Sequence, residues 1–161
     1  MSELTEVISK VNQLPAMDGE FSVEWGGAST EDAIATVEGA LGVRIRGTYR
    51  DFLLATGGGG LDALYISPIS AEKPLAAGCY FDTLHYREGW CPHKLPSHLV
   101  VVQRDSDDNE PVCLDTSSEV DGENPVVLFY HQSTGHSERL ASSFIDYYRA
   151  FLEPYFEEAG L

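Results

Sequence analysis

Four consecutive glycines, Gly57 to Gly60, stand directly behind a helix-like segment and directly ahead of an apolar run, and no regular helix continues through them. They fix the reading of the stretch that begins at Ser29. Ser29 lies three residues before Asp32, so its hydroxyl is placed to accept from a free N–H of a first helical turn, with acidic side chains at the positive end of the helix dipole. Ile34, Val37 and Leu41 recur at helical spacing, and Gly42 is positioned to end that helix in a left-handed conformation. A second helix follows, with Tyr49, Phe52, Leu53 and Thr56 on one face and Arg50 and Asp51 turned outward. The glycines then read as a hinge, and Leu61, Ala63, Leu64, Tyr65 and Ile66 shift the apolar period toward that of a strand. As an anion-binding nest the glycines are less apt, since they follow a helix and lack a Gly-Lys-Ser/Thr ending.

The flanking segments extend this pattern. Leu4, Val7, Ile8, Val11 and Leu14 predict an amphipathic first helix closed by Pro15, and Phe21, Val23 and Trp25 alternate as in a short edge strand, with Trp25 as a buried anchor. From Ser67 to Pro96, four prolines and two glycines remove any regular period. The aromatic residues Tyr80, Phe81, Tyr86 and Trp90 in this segment suit a lid over the core better than an open contact site. His98 to Gln103, Pro111 to Asp115 and Pro125 to His131 read as strands, the first a continuous apolar run suited to burial on both faces. The last helix begins at Leu140 to Phe144. Ser143 and Asp146 form its cap, Phe144, Ile145, Tyr148, Phe151 and Leu152 its apolar face, and Pro154 breaks it before an acidic tail to Leu161.

The order and spacing of these features resemble the SUKH superfamily, the group that takes in the yeast Smi/Knr-type cell-wall regulators and many bacterial immunity proteins. The residues that carry the resemblance are Trp25, Ile34, Glu38, Leu41-Gly42, Tyr49-Arg50-Asp51-Phe52-Leu53 and Gly57-Gly58. It continues through Cys113-Leu114-Asp115, Pro125-Val126-Val127 and Leu140-Ala141-x-Ser143-Phe144. Ile45-Arg46 stands where the family usually has Leu-Pro, and Thr56 where it usually has Asn. The resemblance and the order helix, helix, strands, helix together imply one α+β domain with helices packed on a mostly antiparallel sheet. A family-like core is expected over residues 25–152, with an N-terminal helix and arm over 1–24 and the acidic tail over 153–161.

Charge narrows the partner. Twenty-six Asp and Glu face ten Lys and Arg, a formal net charge of -16, which repels nucleic acid and anionic lipid and speeds encounter with basic proteins. Eight acids, Asp105, Asp107, Asp108, Glu110, Asp115, Glu119, Asp121 and Glu123, fall in one span without a single Lys or Arg. The resemblance implies a non-enzymatic protein-binding module, an immunity protein that neutralises a cognate toxin, for which a basic nuclease fits the charge. Asp105, Asp107, Asp108, Glu110, Asp121 and Glu123 are the expected contact residues, weighed against a plain solvated acidic surface. The alternative is a regulatory scaffold of the Smi/Knr type that binds cellular proteins through the aromatic loop.

Other chemistry finds little support. Asp105-x-Asp107-x-Asn109 imitates the start of a calcium loop, but Glu110 occupies the place of the required Gly and Thr116 that of the bidentate Glu. Cys79, His85, Cys91, His93 and His98 have zinc-ligand chemistry at spacings that match no zinc motif. No nucleophile elbow is present, and His131 and His136 would carry only a hydrolase reading of last resort. No metal and no cofactor is expected. Three cysteines, an odd number, with no apolar leader and no membrane-length run, imply reduced thiols and a cytoplasmic protein.

Overall fold

The computed structural model describes residues 2–17, 19–104 and 109–161. Among them the chain forms five α-helices and two antiparallel sheets. The first helix, α1 (Glu3–Met17), buries Leu4, Val7, Val11 and Leu14 and packs on the last, α5 (Phe144–Ala159). Pro15 lies inside α1, near its end, instead of closing it. Strand β1 (Val23–Trp25) pairs with β2 (Gly59–Leu61). Trp25 is half-buried, with its indole N–H donating to Asn12 Oδ1 at 2.8 Å and its ring edge-on to Phe52.

Helices α2 (Glu31–Leu41) and α3 (Thr48–Thr56) follow the apolar periods of the sequence, with one shift at the start. Thr30, not Ser29, caps α2, accepting from Ala33 N at 3.1 Å, while Ser29 is buried and its backbone N–H donates to Leu53 O. Gly42 ends α2 in the left-handed conformation as expected. Arg50 does not point away. It bridges the two helices, pairing with Glu31 and, at 3.5 Å, with Glu38, whose other carboxylate oxygen accepts from Ile45 N at 2.8 Å.

The glycine run is a packed seam and not a hinge. All four glycines are buried, and Gly57 ends α3 at φ 76 with the Gly27 carbonyl oxygen in the space a Cβ would take. Glycine is required there both for its conformation and for the close approach of two backbones. The run lets β2 cross β1 and return into a 3-10 turn at Asp62–Leu64.

The larger sheet has the order β3-β4-β5-β6, formed by Leu99–Gln103, Val112–Asp115, Val126–Phe129 and Ser137–Ala141. Its alternating residues feed two cores. Val100, Val102, Val112, Leu114 and Val126 join the main core with the helices, whereas Leu99, Val101, Cys113, Val127 and Phe129 meet Tyr86, Cys91 and Leu95 on the other face. That second cover comes partly from α4 (Cys79–Glu88), inside the segment read as irregular. Its buried positions are Cys79, Thr83 and Tyr86, and the Thr83 hydroxyl accepts from Val101 N at 3.0 Å. Two of its three inward residues are polar or small, so no apolar period marked it. Edge strand β6 was also missed, because four of its five residues are exposed and show no alternation.

Pro154 does not break α5, which runs on to Ala159. A proline within a helix leaves the carbonyl four residues earlier unbonded; residue 150 is exposed, so water can serve it, and Phe156 beyond is buried in the main core with Lys10 over its ring.

Candidate functional site

Of the acids singled out by sequence, Glu110 lies apart from Asp121 and Glu123. β3 pairs Leu99 with Asp115 and Gln103 with Val112, so the β3–β4 connection leaves one end of the sheet and the β4–β5 connection the other. Strands of this length hold the two roughly 15 Å apart. Asp105, Asp107 and Asp108, with the calcium-like run they begin, lie outside the described residues.

At the β4–β5 end the charge is turned onto the protein's own backbone. Glu123 accepts from Thr48 N with both carboxylate oxygens at 3.0 Å, and from the Thr48 hydroxyl at 3.2 Å, taking the role that Gly47, the residue before α3, cannot fill with a side chain. The Thr48 hydroxyl oxygen in turn accepts from Ile145 N at 2.9 Å, tying α5 to the same point. Asn124, almost wholly buried, accepts from Arg46 N and donates to Ser118 O. Glu119 pairs with Arg46 at 3.4 Å. Burial pushes the Glu123 carboxyl above its ordinary value, against the Thr48 hydrogen bonds and with help from Asp51 and Asp146. Asp121 is exposed at the tip of the connection, in a left-handed conformation at φ 53. Of the two expected contact residues here, Asp121 faces outward and Glu123 holds a helix start.

At the opposite end Glu110 is half-buried, and its Oε2 is enclosed without a hydrogen-bond partner among the described residues. Beside it lies a polar and aromatic group. Tyr86 donates its hydroxyl proton to Asn109 O at 3.2 Å and stacks edge-on with His131 at 5.2 Å and His85 at 5.0 Å, and Arg104 sits over its ring and pairs with Asp82 at 3.5 Å. His131 is thus a buried packing residue, while His136 is exposed.

The aromatic segment does not act as a single lid. Tyr86 covers the second core, but Phe81 is 55% and Trp90 89% exposed. The three cysteines are buried thiols. Burial, aided by the Asp82 charge and opposed by hydrogen bonds from Tyr49 and Thr83, pushes the Cys79 thiol up to about 12, and burial raises Cys113 as well, so neither is an activated thiolate. Among the described residues no group of three or more His, Cys, Asp or Glu side chains is placed to hold a metal ion, and no helix is long and apolar enough to cross a membrane.

One feature escaped the sequence reading altogether. Gly42, Val43, Arg44 and Arg46, between α2 and α3, face Ser97, His98, Thr116 and Ser117 across a groove of about 510 Å³. The alternation of exposed Arg44, buried Ile45 and half-buried Arg46 was its available signal.

The described residues thus form a small α+β module whose acids lie on helices and strands as well as in connections. The SUKH_5 family, described as SMI1-KNR4 cell-wall, matches residues 4–153, and the chain belongs to that family. The match takes in α1 as well as the segments whose motifs first suggested the relationship. Membership supports an immunity or Smi/Knr-like role in general, in a family whose proteins are generally not enzymes. No match to the chain is found among curated proteins.

Proposed function

We propose that the chain is an immunity protein that neutralises a cognate toxin by direct binding, and that the toxin presents a basic surface, as a nuclease does around its phosphate-gripping site. The observation that carries this is the use of the cations. Arg46, Arg50, Arg104 and Arg149 each pair with one of the chain's own carboxylates, so these four cations stand beside acids and do not gather into a basic face. A net charge of -16 then steers a basic partner and disfavours an acidic one. Asp105, Asp107, Asp108 and Glu110 are the contact residues of this reading, with Asp121 as an outlying one; Glu123 is withdrawn to its role at α3.

The test is affinity capture from the protein's own cells with washes at low and then high salt, followed by co-expression of what is retained. A basic toxin, released as salt rises and harmless only in the presence of this chain, is the expected result. Retention that ignores salt and the change of Asp107 and Asp108 to Lys, but is lost in Trp90→Ala, would replace it with the scaffold reading. That second reading has its own observation in Trp90, a large aromatic residue that is 89% exposed just past the end of α4.

A further inference from the structure

The groove between the α2–α3 connection and the entry to β3 runs against the charge of the whole. Arg44 is exposed and joins no ion pair among the described residues, and Arg46 has the single contact with Glu119. Behind the groove, the Arg87 guanidinium donates to Leu41 O at 3.2 Å and Ser97 O at 2.6 Å, clamping the two walls together. Two carboxylates near the groove are engaged within the chain, Asp115 accepting from the backbone N–H and hydroxyl of Ser117 and Glu119 pairing with Arg46, while Glu88 acts on Arg87 behind it. A groove of about 510 Å³ therefore carries two forked donors and the Ser97 hydroxyl, within a protein that is otherwise strongly acidic.

We infer that this groove binds the phosphate group of a small phosphate monoester. Two guanidinium groups present more N–H donors than the two oxygens of a carboxylate can use, while the three terminal oxygens of a phosphate monoester match them. The groove is open to solvent and has a volume of about 510 Å³, which leaves room beside the phosphate for an organic remainder. The site lies apart from the acids assigned to the toxin and does not depend on that reading.

The experiment follows backbone amide shifts of the full chain during titration with inorganic phosphate and, separately, with ribose 5-phosphate, at constant ionic strength. Saturable shifts are expected at residues 42–46, 97–98 and 116–117, with ribose 5-phosphate the tighter of the two. Arg44→Ala, which breaks no ion pair, weakens both by about tenfold or more, as expected for loss of a charge-assisted hydrogen bond. Lys73→Ala, in a different part of the surface, leaves both unchanged. Shifts scattered over other basic residues, unchanged affinity in Arg44→Ala, or no saturation in the millimolar range would overturn the site. Inorganic phosphate binding as tightly as ribose 5-phosphate would overturn the monoester.

Discussion

At the β4–β5 end of the larger sheet the carboxylate of Glu123 closes on the backbone of Thr48, and Asn124 and Glu119 fasten the turn to Arg46. At the β3–β4 end Glu110 has a carboxylate oxygen enclosed with no partner among the described residues. Both ends belong to connections of one antiparallel sheet, and among the described residues the fold uses an acid at the first and leaves the Glu110 oxygen unpartnered at the second. An acid that supplies a missing helix-cap acceptor improves stability and is lost to recognition. An acid left half-buried with an oxygen unpartnered among the described residues returns less to stability, which suits the partner-binding role proposed for Glu110.

The sharpest way to break the contrast is to remove Asn124. Its amide satisfies Arg46 N at 2.8 Å and Ser118 O at 2.9 Å in a nearly closed site, so Asn124→Ala is expected to lower unfolding stability by about 3 kcal/mol, read by urea denaturation. Glu110→Leu at the other end is expected to stay within about 1 kcal/mol of the parent, on either side, because no hydrogen bond to its Oε2 is lost. A loss at Glu110 equal to that at Asn124 would erase the distinction.

Glu123→Ala follows, with an expected loss of about 2 kcal/mol from uncapping α3, whereas Glu123→Gln retains an acceptor and loses less than about 1 kcal/mol. The partner should respond in the opposite order. Changing Asp107 and Asp108 together to Lys is expected to slow association with a basic partner by about tenfold, with unchanged dissociation to first order, and Glu123→Gln should leave both rates alone. Stopped-flow association at two salt concentrations measures this. Equal slowing by Glu123→Gln would return Glu123 to the contact surface.

The sequence displayed the parts of this fold whose burial is periodic. Ile34, Val37 and Leu41 in α2, the Ser143 cap of α5 and the apolar runs of β3, β4 and β5 were legible because one-sided or complete burial selects apolar residues at fixed intervals. Helix α4 was hidden by an inward face that includes Cys79 and Thr83, and β6 by an exposed edge position that selects no pattern. The separation of the acids was hidden for a topological reason. Glu110 and residues 119–123 are close along the chain, but the intervening strand sends them to opposite ends of the sheet, a distance that composition does not record. The Arg44 and Arg46 groove needs Ser97 and Thr116 brought across from later segments, so the arginines alone indicated only an exposed turn.

The smallest expected effect is also the most direct probe of the β4–β5 end. Burial raises the Glu123 carboxyl above its ordinary value of 4.5, Asp51 and Asp146 add to the rise, and the Thr48 hydrogen bonds oppose it. Above 4.5 the native state therefore holds this proton more tightly than the unfolded chain does. The stability it contributes is complete below the unfolded value and is lost as pH rises through the folded one. Relative to Glu123→Gln, which does not titrate there, the parent should lose stability as pH rises from about 4, until Glu123 is fully ionised. Asp51→Asn, by removing one repelling charge, should move that loss to lower pH. The measurement is a set of urea denaturation curves across this range for the parent and both variants. A parent that instead gains on Glu123→Gln as pH rises would mean that the Thr48 bonds outweigh burial, so that the ionised carboxylate itself is what holds α3 at this end.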